Sequence, residues 1–186
     1  MSDRQCVLTK GKDQPYISDE YLLSCCGETC GYGCNGGWMG GAFDFEKTGI
    51  VSGGIYGSKN GCQPYSIPPN AYQDYNTPAC KRTCIRGWKK SFQDSMYYGS
   101  GAYALKSEAS AMQDIFENGP ITSAFTVYND FYYYKKGVYF HASGGQIGGH
   151  AIRILGWGEE DGNKYWLCAN SWNTTFGIKG NHELMT

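Results

Sequence analysis

The chain has 186 residues, enough to bury a core in one domain or in two small lobes. Its 16 Lys and Arg against 17 Asp and Glu leave a net charge of −1, so charge gives no reason to expect nucleic acid or an anionic membrane as a partner. No apolar run approaches the roughly twenty residues needed to cross a bilayer, and no charged-then-apolar leader follows Met1.

Nine cysteines, seven of them from Cys25 to Cys84, favour an oxidising compartment. With 27 glycines and 16 tyrosines, the composition suits a loop-rich, disulfide-stapled fold with aromatic packing. Along the chain, Ser18-Asp19-Glu20 before Tyr21-Leu22-Leu23 predicts a capped short helix. Residues 25–37 hold four cysteines and five glycines and read as loop. A helix is expected over 38–47, stopping near Gly49, although Gly40 and Gly41 each weaken it by roughly 1 kcal/mol relative to alanine. Residues 50–101 are expected to be irregular.

From Tyr103 the character changes. Ser107 caps an expected helix over 108–118, ended by Gly119-Pro120. A strand follows over 121–128, then a short helix over 130–136 and a strand over 137–140. Residues 151–157 and 164–169 predict a hairpin around the turn 159–163. The tyrosines 132–134 are expected to pack between the short helix and the strands. His141 and His182 lack a partner pattern and are expected at the surface.

The most informative segment begins at Gly148-Gly149-His150 and runs into an apolar strand; Asn170-Ser171-Trp172 follows about twenty residues later, a spacing that fits adjacent antiparallel strands. A histidine acting in nucleophilic catalysis needs a partner that fixes its tautomer, and an Asn side-chain oxygen supplies one. The pattern asks for a Cys or Ser nucleophile. Cys26, Cys30 and Cys34 are spaced as zinc ligands can be, so a small zinc-binding module is a rival reading. Cys168 shares the strand face of Asn170 and is expected to be a small core residue rather than a nucleophile.

Six segments together resemble the papain-like cysteine proteases, and within them the cathepsin B-like group. They are Cys25-Cys26-Gly27, Gly33-Cys34-Asn35-Gly36-Gly37, the run from Gly61 to Pro69, Asn118-Gly119-Pro120, Gly149-His150-Ala151 and Ala169-Asn170-Ser171-Trp172-Asn173. The resemblance implies an α+β, two-lobed fold: a partial helical, disulfide-rich lobe over 1–101 and an antiparallel, β-barrel-like lobe over 102–186 that carries the His/Asn pair. It implies that His150 pairs with a cysteine thiolate, that Asn170 orients His150, and that Trp172 shields the contact. Gly36 and Gly37 would hold an extended peptide, with Trp38, Ala124, Gly149, Ala151 and Trp172 lining the substrate site. The implied disulfides are Cys25–Cys80, Cys26–Cys30 and Cys62–Cys84, leaving Cys6, Cys34 and Cys168 unpaired. No cofactor and no metal are expected. A peptide or protein substrate, and protein inhibitors of cysteine proteases, are the expected partners, in the lysosome or outside the cell.

The departures from the family are as informative. The family nucleophile lies in a Gly-Ser-Cys-Trp segment that would fall roughly ten residues before Met1, on a helix ending at Ser2-Asp3-Arg4. This chain is therefore expected to be inactive alone. The occluding segment over 70–79 is short and lacks histidine, which points to an endopeptidase rather than release of C-terminal dipeptides. Phe176 replaces a usual tryptophan, and the chain stops before the family's last strand. A non-catalytic, secreted peptide-binding homologue is the second reading. Asn173-Thr174-Thr175 is an N-glycosylation acceptor pattern, expected to be lightly occupied because it lies beside the site.

Overall fold

Helix α1 runs over Ser2–Leu8 in the computed structural model, which describes residues 1–69 and 75–185. It extends past the expected end at Arg4 because no breaker intervenes before Lys10-Gly11, where φ values of 53° and 78° turn the chain. Helix α2, Asp19–Cys25, begins where the sequence places its cap: Ser18 Oγ accepts from the Tyr21 N–H at 2.9 Å. The same hydroxyl donates to the Gln63 carbonyl at 2.6 Å, so one buried serine both caps a helix and ties down a distant loop.

Helix α3, Met39–Phe45, passes into a 3-10 turn over Glu46–Thr48 that stops at Gly49 (φ 92°). Gly41 costs helix propensity, yet packing requires it: a Cβ there would lie 1.8 Å from the Thr29 carbonyl oxygen. Strand β1, Ile50–Val51, pairs antiparallel with β2, Met96–Tyr97. The region 50–101 is thus not wholly irregular. Ile50 and Val51 are fully buried with Ile17, Tyr21 and Cys62, and Phe45, Trp88, Phe92 and Met96 pack against them. Three disulfides fasten the loops around this core: Cys25–Cys80, Cys26–Cys30 and Cys62–Cys84. Residues 70–74, half of the segment 70–79, lie outside the described residues.

Contacts divide the chain into units Met1–Ala104 and Leu105–Thr186. In the second unit, α4 spans Glu108–Asn118. Ser107 and Ser110 form a reciprocal capping box at its start, and Gly119 (φ 90°) ends it. The five-stranded sheet follows the order β3-β5-β6-β7-β4, with β3 at Ile121–Tyr128, β4 at Val138–Tyr139, β5 at Gln146–Glu160, β6 at Asn163–Ala169 and β7 at Asn181–Met185. Pairing is antiparallel except between β4 and β7, which run parallel over two residues.

The β5–β6 hairpin is longer than expected. Asp161 and Gly162 alone make the turn, both at positive φ, so Glu159 and Glu160 remain in the strand, paired with Lys164 and Asn163. The short helix expected over 130–136 is a 3-10 segment over Asn129–Tyr133. Its three-residue repeat turns Phe131 and Tyr134 inward and leaves Tyr132 and Tyr133 exposed, so only part of the tyrosine cluster is packing. Ile152, Ile154 and Cys168 line the sheet's inner face under Ile115 of α4, and Val127, Phe131 and Tyr134 form a second cluster.

Candidate functional site

The alternation of β5 decides which side chains reach the site. Ile152 and Ile154 are buried, so His150, two residues earlier on the same face, stands at the end of an apolar stripe. It lies opposite Phe125 of β3, and the two rings meet edge to face at 6.1 Å. Asn170 follows the last residue of β6 and is held there by its N–H, which donates to the Gly180 carbonyl at 2.9 Å.

These two residues meet. His150 Nε2 lies 2.8 Å from Asn170 Oδ1. The same oxygen accepts from the Ser171 N–H at 2.7 Å. A backbone N–H can only donate, so the carboxamide must present oxygen to it, and the oxygen in turn makes Nε2 the protonated ring nitrogen. Nδ1 is left as the nitrogen that can take or give a proton. Asn170 Nδ2 is buried without a hydrogen-bond partner among the described residues, which costs the fold on the order of 1–3 kcal/mol. That cost is a sign that the oxygen's position matters more than the nitrogen's comfort.

Trp172 packs against the His150 ring. Its ring sits 4.9 Å from that of His150 and 5.5 Å from Phe131, which is fully buried. Tyr132 stacks on the same indole at 5.2 Å with planes 19° apart. Tyr132 was missed by sequence reasoning: its cluster signalled packing, but nothing in the spacing tied it to Trp172, forty residues on.

Ala124 and Ala151 face each other across β3 and β5 on the opposite, exposed side, beside Gly149. Gly36, Gly37 and Trp38 belong to the first unit. Gly37 bridges Gly31, and a Cβ on it would fall 2.1 Å from the Cys30 carbonyl oxygen, so this position admits only glycine. Trp38 Nε1 donates to the Thr29 carbonyl at 2.9 Å, and its half-exposed ring meets Tyr32 edge-on at 5.8 Å.

The cysteines sort clearly. Cys26 and Cys30 are joined to each other, so the zinc reading loses two of its three ligands; no cluster of three metal-ligating side chains occurs among the described residues. Cys6 and Cys34 are free. Cys168 is fully buried, donates to the Trp166 carbonyl, and burial pushes its thiol up to about 12, which leaves essentially no thiolate at neutral pH.

Two histidines differ from expectation. His182 is not at the surface but completely buried, because β7 pairs it with Cys168 and turns it into the sheet's inner face. Phe125, Phe131, Tyr134 and Phe176 surround it, and neither ring nitrogen has a hydrogen-bond partner among the described residues. His141 is exposed but not partnerless: it stacks on Tyr128 at 3.7 Å, and its Nδ1 lies 3.3 Å from Asp130. Asp130 also accepts from the Tyr139 hydroxyl and from the Ala142 and Ser143 N–H groups, which hold its carboxyl well below the usual carboxylate range.

Among the described residues no helix is long and apolar enough to cross a membrane. Comparison with known proteins agrees with the geometry. A family model described as papain family cysteine protease matches residues 1–186. Cathepsin B-like cysteine proteinase 3 of Caenorhabditis elegans is 46% identical over 187 residues, 97% of this chain and 50% of the relative. The gut-specific cysteine proteinase of the same nematode is 45% identical over 97% of this chain and 56% of its own length. Among solved structures, a procathepsin B from Trypanosoma congolense superposes with a TM-score of 0.83 at 37% identity, covering 99% of this chain and 59% of its own. The chain spans about half the length of the curated relatives it matches. An imidazole held by a carboxamide beneath an indole, in an α+β chain matched from end to end, places this protein in the papain family of cysteine proteases.

Proposed function

We propose that residues 1–186 carry the imidazole side of a cysteine peptidase site and part of its peptide-binding surface, and that the nucleophilic thiol comes from outside them. The observation that carries this reading is the His150–Asn170 hydrogen bond, with its oxygen anchored by Ser171. A ring whose Nε2 is committed to Asn170 has Nδ1 left for a thiol. Proton transfer from thiol to Nδ1 gives an imidazolium–thiolate pair, and the cation beside the sulfur lowers the thiol pKa. The thiolate then attacks a peptide carbonyl, the imidazolium protonates the departing amine, and water hydrolyses the acyl-enzyme.

None of the nine cysteines suits the nucleophile's role. Six form disulfides, Cys168 is buried and protonated, and none lies in a Gly-Ser-Cys-Trp context. The chain alone is therefore inactive. The substrate is an extended peptide; Gly36 and Gly37 in the first unit, and separately the surface around Ala124, Gly149 and Ala151 in the second, are the residues suited to contact it, and protein inhibitors of cysteine proteases are the expected competitors. Cleavage is internal rather than dipeptide release, since 70–79 contains no histidine to hold a C-terminal carboxylate. Three disulfides suit a lysosomal or extracellular setting.

The test joins the chain to the nucleophile-bearing segment of a cathepsin B-like relative and treats the folded hybrid with an epoxide that alkylates active-site thiols. Labelling is expected, and His150→Ala should abolish it; a folded hybrid that resists labelling would refute the reading.

A further inference from the structure

We propose that Asn173 accepts an N-linked oligosaccharide. The proposal rests on the secretory setting argued above and concerns a residue that the peptidase reading does not use. Asn173-Thr174-Thr175 is the one Asn-x-Ser/Thr pattern in the sequence, and all three residues are exposed in the connection between β6 and β7. Asn173 stands in the left-handed region at φ 75°, which asparagine tolerates better than other residues bearing a Cβ.

Its carboxamide is oriented. Oδ1 accepts from the Thr174 N–H at 2.6 Å and lies 3.2 Å from the Thr174 hydroxyl. The oxygen end is thus committed to the backbone, and Nδ2, the atom that carries a glycan, is the end left uncommitted. A bulky, hydrated group at an exposed turn displaces no packed side chain. Nearness to the site argues for light occupancy, but all three residues of the acceptor pattern are exposed, so the acceptor can be reached all the same.

The chemistry needs one donor, a lipid-pyrophosphate-linked oligosaccharide. Nδ2 bonds to the anomeric carbon of the first sugar and loses one proton. The bond from that carbon to phosphate oxygen breaks, and the lipid pyrophosphate leaves with the electron pair. The attached sugar is then one residue from Trp172, whose ring lies 4.9 Å from His150.

The chain is to be secreted from eukaryotic cells behind a cleavable leader, which fixes the route whatever the natural compartment. Trypsin then releases the peptide between Lys164 and Lys179, and peptide-N-glycosidase in heavy-oxygen water converts a glycosylated asparagine to labelled aspartate. Label at position 173 is expected in the wild type and in Thr174→Ala, and none in Asn173→Gln or Thr175→Ala. A secreted, disulfide-bonded chain whose Asn173 is recovered only unmodified overturns the proposal. Reduced cysteines at 25, 26, 30, 62, 80 and 84 in protein from its natural source would instead refute the compartment.

Discussion

His182 makes the second unit sensitive to acid. Its ring is 0 % exposed, and both nitrogens lack partners among the described residues. Four aromatic rings surround it. The titratable groups on the packed elements offer an imidazolium nothing: His150 is a second imidazole on β5, Cys168 is a protonated thiol on β6, and the Tyr134 hydroxyl is taken up by the Gly137 carbonyl and the Glu183 N–H. Glu183, next along β7, points to the other face of the strand. Burial, with the proximity of His150, pushes the His182 imidazole down from 6.5 to about 4.

A histidine with a depressed folded pKa binds more protons when unfolded. Its penalty is absent above the unfolded value, grows as pH falls from 6.5 towards 4, and is constant below that. At pH 5 the loss is about 2 kcal/mol, a large share of the stability of a small unit. The assay is urea unfolding of wild type and His182→Phe at matched pH values from 7.5 to 4.5. The variant should lose about 2 kcal/mol less over the acid range, because an aromatic hydrocarbon replaces the ionisable ring in the same cage. Imidazole resonances give a second reading independent of folding yield: His182 should remain neutral at pH values well below 6.5. Parallel pH profiles for the two proteins, or a His182 titration near 6.5, would refute the reasoning.

Asn170→Ala removes the oxygen that His150 and Ser171 share and also the buried orphan Nδ2, so the net stability change should be small, within about 1 kcal/mol by urea unfolding. In the labelled hybrid, the same change should slow epoxide alkylation by releasing the His150 ring. Cys62→Ser with Cys84→Ser should cost about 2–5 kcal/mol, since Cys62 is fully buried against Ile50 and Val51; a loss below 1 kcal/mol would mean the first core does not depend on the bridge. Ser18→Ala removes a helix cap and the hydroxyl bonded to the Gln63 carbonyl and should cost about 2 kcal/mol in the same measurement.

Elements whose ends are marked by local chemistry were legible. Helix α4 lies between Ser107 and Gly119-Pro120 at the expected residues, and β3 has its expected bounds. Residues positioned only by pairing were not. The stretch 181–185 alternates too weakly to announce a strand, and only its register against β6 turns His182 inward. The expected helix over 130–136 failed because Phe131 and Tyr134, three apart, fit a 3-10 turn as well as an α-helix. At the site, His150 and Asn170 could be chosen because each occupies a recognisable motif and their spacing fits a hairpin. Tyr132 behind Trp172, and Asp130 beside His141, belong to contacts between loops that no local periodicity encodes.

The tautomer of the His150 ring decides most directly whether the proposed chemistry holds. Nitrogen-edited NMR of the chain labelled at histidine reports which nitrogen of neutral His150 bears the proton. Protonated Nε2, coupled through its hydrogen bond to the Asn170 carboxamide, is the expected result, and Asn170→Ala should abolish that coupling. A proton resident on Nδ1, or a ring exchanging freely between tautomers, would mean that Asn170 does not aim the imidazole and would contradict the proposed chemistry.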